Sequence, residues 1–401
     1  MDDEEALRPT DGAPDPDPLA FAAAWRAQCP LRGDIVFLNP GTLGTTLTVA
    51  SRHADRLRRR WMREGPGAAL DVDGADGYQR MRRSTDAVRG ELAAWLGLER
   101  RHVALTGNAT DGLHQALASI DWRPGDRVVT TDEEHEALTR ALDRLVERPG
   151  IAVDRVAFPA ADGDASFAGR VAARLTPATR LVALSHVSHK SGVTADVAGV
   201  ARSLAGGPAL LLVDGAHGAG TRLPVVDPGV DFYAFPGHKW LFGPVGTGVL
   251  VVSDRALRET RPLLAGSPAM DARGREYRDL DGGWRYEAGT RDWAALSGLG
   301  RAVAFRRAFA ERAILDQYDR LSAAFLAGLG GRWPATGRGP VLRLAMPSAE
   351  AWAVARAAWQ RHRVIVKPTD DGLRITLGPW LTPAEADAAA ALVASCAGVA
   401  G

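Results

Sequence analysis

The chain has 401 residues, 46% hydrophobic and 24% charged, the make-up of a soluble globular protein with room for one large and one smaller domain. Its 49 basic and 48 acidic residues leave a net charge of +1, so no global field favours a nucleic acid or an anionic membrane. Two cysteines, Cys29 and Cys396, without CxxC or Cys/His metal spacing, argue against a disulfide framework and for a reducing, cytoplasmic compartment.

The N-terminus, MDDEEALRPTDGAPDPDP, is acidic and Pro-rich, so residues 1–17 read as a disordered tail. No apolar run approaches the roughly 20 residues of a membrane span. Pro18–Cys29 reads as a helix and Asp34–Leu38 as a short apolar run that Asn39-Pro-Gly-Thr-Leu-Gly44 breaks into a loop. Helical stretches follow at 47–64 and 78–97; the arginines of RLRRRWMR within 56–63 read as an exposed helix face. His102–Thr106 is a strand, and Gly107-Asn-Ala-Thr-Asp-Gly112 turns into a helix running to about Ile120. Free N–H groups at such a helix start attract a phosphate, with Thr110 adding a hydroxyl; Thr110 or Asp111 as a plain N-cap is compatible with that.

Arg127–Thr131 is the next strand, leading into Asp132-Glu-Glu-His135-Glu136 at a helix start. Strands follow at 151–158 and 180–185, the latter delivering His186-Val-Ser-His189-Lys190-Ser-Gly192. The i, i+3 histidines hint at zinc, but no third ligand follows at metal spacing, and a metal is not expected. The apolar run Ala209–Val213 ends abruptly at Asp214, with His217 just beyond, and Val230–Phe235 ends at Gly237-His238-Lys239. Buried parallel strands look like this, and open α/β sheets bind ligands at the strand C-termini. Asp214, His217, His238 and Lys239 therefore belong on one rim. A carboxylate and an amine in one cleft suit pyridoxal 5'-phosphate: lysine holds the aldehyde as a Schiff base, and the carboxylate keeps the pyridine nitrogen protonated. Only Lys190, Lys239 and Lys367 are lysines among the 49 basic residues, and arginine cannot form a Schiff base.

Gly246–Ser253 reads as a strand that can run antiparallel, and a long Ala/Arg/Leu-rich helical pattern covers about 294–330. Pro340–Leu344, Arg363–Val366 and Gly372–Gly378 are strands of a smaller domain, and Arg374 inside an apolar strand demands a partner. The expected division is 18–295 for a large cofactor-binding domain and 296–401 for a small C-terminal one.

Asp-x-x-His, Gly-His-Lys-Trp and Gly-Pro-x-Gly-Thr-Gly in this order resemble the signature of the class V aminotransferase family, fold-type I pyridoxal-phosphate enzymes that include cysteine desulfurases, kynureninases and isopenicillin N epimerase-like proteins. The resemblance runs from Leu38 to about Gly378. It implies a mainly parallel seven-stranded α/β sheet between helices, a smaller C-terminal α+β domain and a homodimer with shared active sites. Lys239 would carry the cofactor and Asp214 its pyridine nitrogen; His135 would stack on the ring. Ala109, Thr110, His238 and the partner subunit's Thr290 would hold the phosphate. His217 would lie near the phenolic oxygen, with His189 standing where relatives carry Asn. Arg374 would clamp the substrate α-carboxylate, and the Asn39 loop would enter the site. Pro236 replaces a common serine, removing one phosphate contact. Glu287-Ala-Gly-Thr-Arg-Asp292 is closest to the epimerase-like branch.

Lys239 returns as a base for the α-proton once substrate displaces it. Transamination, epimerisation and β-elimination share that first half, and the sequence leaves all three open. A desulfurase needs a nucleophilic cysteine on the loop before Arg374, and Val366-Lys-Pro-Thr-Asp-Asp-Gly372 has none. Sulfur transfer and an inactive cofactor-fold binding protein are the alternatives.

Overall fold

The computed structural model describes residues 17–65, 77–147, 150–264 and 282–398. The expected tail lies outside these residues except for Asp17, which is ordered as the side-chain N-cap of the first helix.

Helix α1 (Pro18–Ala27) precedes strand β1 (Val36–Phe37), α2 (Thr48–Glu64) and α3 (Gly77–Leu96). Alternating elements follow: β2 (Val103–Thr106), α4 (Ala109–Ala118), β3 (Arg127–Thr131), α5 (Glu136–Val146), β4 (Ala152–Val156), α6 (Phe167–Ala172), β5 (Thr179–Ser185), α7 (Val197–Leu204) and β6 (Leu210–Asp214). Strands β7 (Phe232–Pro236) and β8 (Gly248–Val252) lead to α8 (Asp254–Glu259), α9 (Trp293–Arg307) and α10 (Glu311–Gly328). The chain then forms β9 (Ala335–Thr336), β10 (Val341–Ala345), α11 (Ser348–His362), β11 (Val364–Ile365), β12 (Lys367–Thr369), β13 (Gly372–Thr376) and α12 (Pro383–Ala394).

Seven strands form one sheet in the order β2-β8-β7-β6-β5-β3-β4. Strands β4, β3, β5, β6 and β7 pair parallel, and β8 runs antiparallel to both β7 and β2, as expected. Alternate residues feed two cores. Leu211, Val213, Tyr233 and Phe235 pack on one face, and Leu210, Leu212, Phe232 and Ala234 on the other. Each of the larger side chains contributes roughly 1.5–3 kcal/mol on burial, so β6 is held from both faces and its polar end, Asp214, is fixed at the rim.

A four-stranded antiparallel sheet, β12-β13-β10-β9, packs with α10, α11 and α12 around a third core. The strand read at 363–366 is divided. Val364–Ile365 leaves this sheet to pair parallel with β1, which ties the N-terminal segment to the C-terminal part.

The helical pattern at 294–330 is two helices, not one. Ala310 takes an extended backbone between them, while Arg306 at the end of α9 pairs with Glu311 at the start of α10 (2.8 and 2.6 Å). Arg306 is fully buried and also donates to the Gly220 carbonyl at 2.9 Å, so the break satisfies a buried cation that a continuous helix would strand. Among the described residues no helix is long and apolar enough to cross a membrane.

Candidate active site

The C-terminal ends of β3, β5, β6 and β7, joined by the start of α4, open on a cavity of about 960 Å³. Strand β13 closes it from the other side, so Arg374 faces residues that lie more than a hundred positions earlier. Ala109, Thr110, His135, His189, Asp214, His217, His238, Lys239 and Arg374 all line it.

The lysine turn is built by its backbone. Gly237 donates to the Thr247 carbonyl and Gly243 to the Gly237 carbonyl, each at 2.8 Å, while Phe242 adopts a left-handed φ of 52°. The loop from Asn39 braces this turn through a Gly44 N–H to the His238 carbonyl at 2.8 Å. A Cβ on Gly44 would sit 2.5 Å from the Lys239 carbonyl oxygen, so only glycine allows the approach.

Lys239 Nζ stands 3.3 Å from His217 Nε2. Burial draws the amine down to about 8; Asp214 opposes this and Arg374 adds to it. Asp214 is buried and accepts the Ala216 N–H at 2.9 Å. Burial raises its proton affinity, against the pull of that N–H and of Lys239. Burial likewise keeps His217 well below the usual histidine range and takes His238 down to about 4, so both rings are neutral donors or acceptors at pH 7.

Helix α4 is capped by Asn108, whose Oδ1 accepts the Asp111 N–H at 2.9 Å; neither Thr110 nor Asp111 is the cap. Ala109 and Thr110 are thereby left at the cavity wall. His135 is itself the N-cap of α5, its Nδ1 accepting the Ala137 N–H at 3.1 Å. That bond fixes the ring edge-on to His189 at 4.9 Å between centroids. His186 and His189 do not converge: His186 turns into the core with Nδ1 2.9 Å from the Tyr233 hydroxyl, whereas His189 lines the cavity.

Arg374 is buried and donates to the His189 carbonyl at 3.1 Å and to the Thr42 hydroxyl. Asn39 does not line the cavity. It accepts from Thr42 at 2.8 Å and so orients the residue that meets Arg374. Thr290 is exposed and lies outside this chain's cavity.

Glu134 went unrecognised in the sequence. It lines the cavity at 4% exposure and accepts from Thr131 Oγ1 at 2.5 Å and Ser185 Oγ at 2.6 Å. Burial nevertheless pushes its carboxyl up to about 7. Its place beside His135 at a strand end was the available signal. Lys190 and Lys367 also line the cavity, and the scarcity of lysine was theirs.

The donor set fits pyridoxal phosphate. An amine and a buried carboxylate approach from neighbouring strands, and a helix start supplies an anion site. The Nδ1 atoms of His189, His217 and His238 and the Nε of Arg374 are buried without protein partners, and all four residues line the cavity.

The family model for aminotransferase class V matches residues 75–332, more than half of the chain. A probable cysteine desulfurase of Methanothermobacter thermautotrophicus is 31% identical over 69% of this chain and 68% of its own length. An isopenicillin N epimerase of Streptomyces clavuligerus is 27% identical over 75% of this chain and 81% of its own. Among solved structures, the enzyme C-DES is 25% identical in two forms. A mutant with glycine covalently linked to the PLP cofactor superposes with a TM-score of 0.83 over 92% of this chain and 98% of that one. The complex of this cystine C–S lyase with its product cysteine persulfide gives 0.80 over 90% and 98%.

Proposed function

The chain belongs to the class V aminotransferase family of pyridoxal-phosphate enzymes, and on that premise we propose that it removes the α-proton of an amino acid or amino-acid conjugate. The observation that carries this is the convergence of Lys239, Asp214 and Arg374 on one cavity from three separate strands. Bound pyridoxal phosphate supplies an aldehyde for amino groups and a ring that accepts electrons from the α-carbon.

The protein's own residues do the rest. Arg374 holds the substrate α-carboxylate, since a guanidinium and a carboxylate match as a bidentate pair. Lys239, drawn to about 8, is available as a neutral base near neutral pH and takes the α-proton on Nζ. Asp214 would keep a proton on the pyridine nitrogen of the bound cofactor. His135 would cover the ring, His217 and His189 would supply contacts to the phenolic side, and Ala109, Thr110 and His238 would hold the phosphate. Residues 18–295 bind the cofactor in this reading, and 296–401 deliver Arg374. Thr290, exposed on its own subunit, completes the phosphate site of a partner in a homodimer.

Sulfur transfer through a protein thiol is the weaker reading. The segment before Arg374 is a β-hairpin in which Thr369 pairs with Gly372 across the two-residue turn Asp370-Asp371. Cys396 is buried with Sγ on the Leu392 carbonyl, and Cys29 packs against the C-terminal core. Neither lines the cavity.

Incubation with a panel of amino acids in heavy water, followed by proton NMR, tests the common step. Loss of the α-proton signal supports the reading, and the product then separates the branches: an oxo acid, the enantiomer, or a released thiol or persulfide. A cofactor-loaded protein that exchanges no α-proton across the panel would overturn it.

A further inference from the structure

All three lysines of the chain line one cavity. Lys239 has a place in the reading above; Lys190 and Lys367 do not. The other 46 basic residues (49 − 3) are all arginines, and among the described residues Arg374 is the only one of them that lines that cavity.

The C-terminal sheet explains why this matters. Lys367 on β12 stands directly opposite Arg374 on β13, and Arg374 stands directly opposite Arg343 on β10. Directly opposed residues share one face of a sheet with Cβ atoms about 5 Å apart, where like charges destabilise the pairing. Three cations therefore form a row across three strands. Asp371 neutralises one of them through an ion pair with Arg343. Arg374 donates only to neutral oxygens, the His189 carbonyl and the Thr42 hydroxyl. The ammonium groups of Lys367 and Lys190 make no ion pair among the described residues, although Asp132, Glu134, Glu136, Asp214, Asp370 and Asp371 line the same cavity. Two cations without an ion pair thus line the cavity together with the guanidinium that takes the α-carboxylate. Trp352, 55% exposed on α11, adds an apolar wall at the same mouth.

We propose that the substrate carries a second carboxylate at the end of its side chain, and that Lys367 and Lys190 bind it at the cavity mouth while Arg374 binds the first. The inference rests on the reading of Arg374 as the α-carboxylate site. The cation row across β12, β13 and β10 is stabilised when substrate is present, and a substrate with a neutral side chain leaves part of that repulsion in place.

Calorimetric titration of the cofactor-loaded protein tests this without requiring turnover. The probes are monocarboxylates such as butyrate and dicarboxylates from succinate to pimelate, none of which has an amino group. The best dicarboxylate should bind about tenfold tighter than its monocarboxylate counterpart, two exposed charge pairs together supplying such a factor at low salt. Raising the ionic strength should shrink that advantage. Lys367→Gln and Lys190→Gln should each reduce it, and the double variant should abolish it, leaving the two classes of probe with the same affinity. Arg374→Gln should weaken both classes. Dicarboxylates that bind no better than monocarboxylates, or an advantage that survives the double variant, would overturn the proposal. Because these probes undergo no reaction, a failure of α-proton exchange in the amino-acid panel would leave this outcome untouched.

Discussion

Replacing Glu134 by glutamine should change how the stability of this protein depends on pH. Glu134 lies at 4% exposure, with Oε1 accepting from Thr131 Oγ1 at 2.5 Å and Ser185 N–H at 3.1 Å, and Oε2 from Ser185 Oγ at 2.6 Å. These donors favour the carboxylate, yet burial outweighs them and moves the group from 4.5 to about 7. A carboxyl raised in the folded state binds its proton more tightly there than in the unfolded chain. Its contribution to stability is complete below pH 4.5 and is lost as pH rises through about 7. The shift of about 7 − 4.5 = 2.5, at 1.36 kcal/mol per unit, corresponds to about 3 kcal/mol. Glutamine keeps the volume, accepts from Ser185 N–H and Thr131, donates to Ser185 Oγ, and does not titrate. The unfolding free energy of the variant relative to wild type should therefore rise by about 3 kcal/mol between pH 4.5 and about 8. Denaturant titrations of both proteins across that range, read by tryptophan fluorescence, measure the difference, in which the other carboxylates cancel. A difference that does not vary with pH would refute the reasoning.

Lys239→Ala should lose the visible absorbance of lysine-linked cofactor, and α-proton exchange should fall by at least about 10²–10⁴-fold, the usual worth of a positioned base; a spectrum and exchange rate like wild type would remove Lys239 from the site. Asp214→Ala should still acquire the cofactor band but turn over at least about 10²-fold more slowly, because the pyridine nitrogen loses the charge that retains its proton; steady-state kinetics decide it. Wild-type exchange should rise with pH through about 8, since protonated Lys239 accepts no proton, and a rate falling over that range would contradict the assignment. Co-expressed Lys239→Ala and Thr290→Trp chains should recover up to about a quarter of wild-type activity, because half the dimers are mixed and each has one intact site; no recovery in verified mixed dimers would remove Thr290 from the neighbouring site.

The strand-end residues of the cavity were legible in the sequence because each strand there announces its own end. Leu210–Val213 is apolar until Asp214, and Phe232–Phe235 until the turn at Gly237, so the apolar run stops where the polar rim begins. A parallel sheet collects such ends by construction, which is why His135, His189, Asp214, His217 and Lys239 meet although 104 positions separate the first from the last. Pattern alone could not tell which histidine faces outward. His186 and His189 look alike in sequence, and the Tyr233 hydroxyl, reached from β7 two strands away, takes His186 into the core. The division of the helix at Ala310 was equally hidden, since no glycine or proline marks it; the buried Arg306–Glu311 pair decides it through contacts with the Gly220 and Trp240 carbonyls. Strand register was the other silent variable. Lys367 and Arg374 lie seven positions apart on one hairpin, but Arg343 comes from a strand some thirty residues earlier, and the ladder that sets all three side by side depends on register among three strands, which no local pattern encodes.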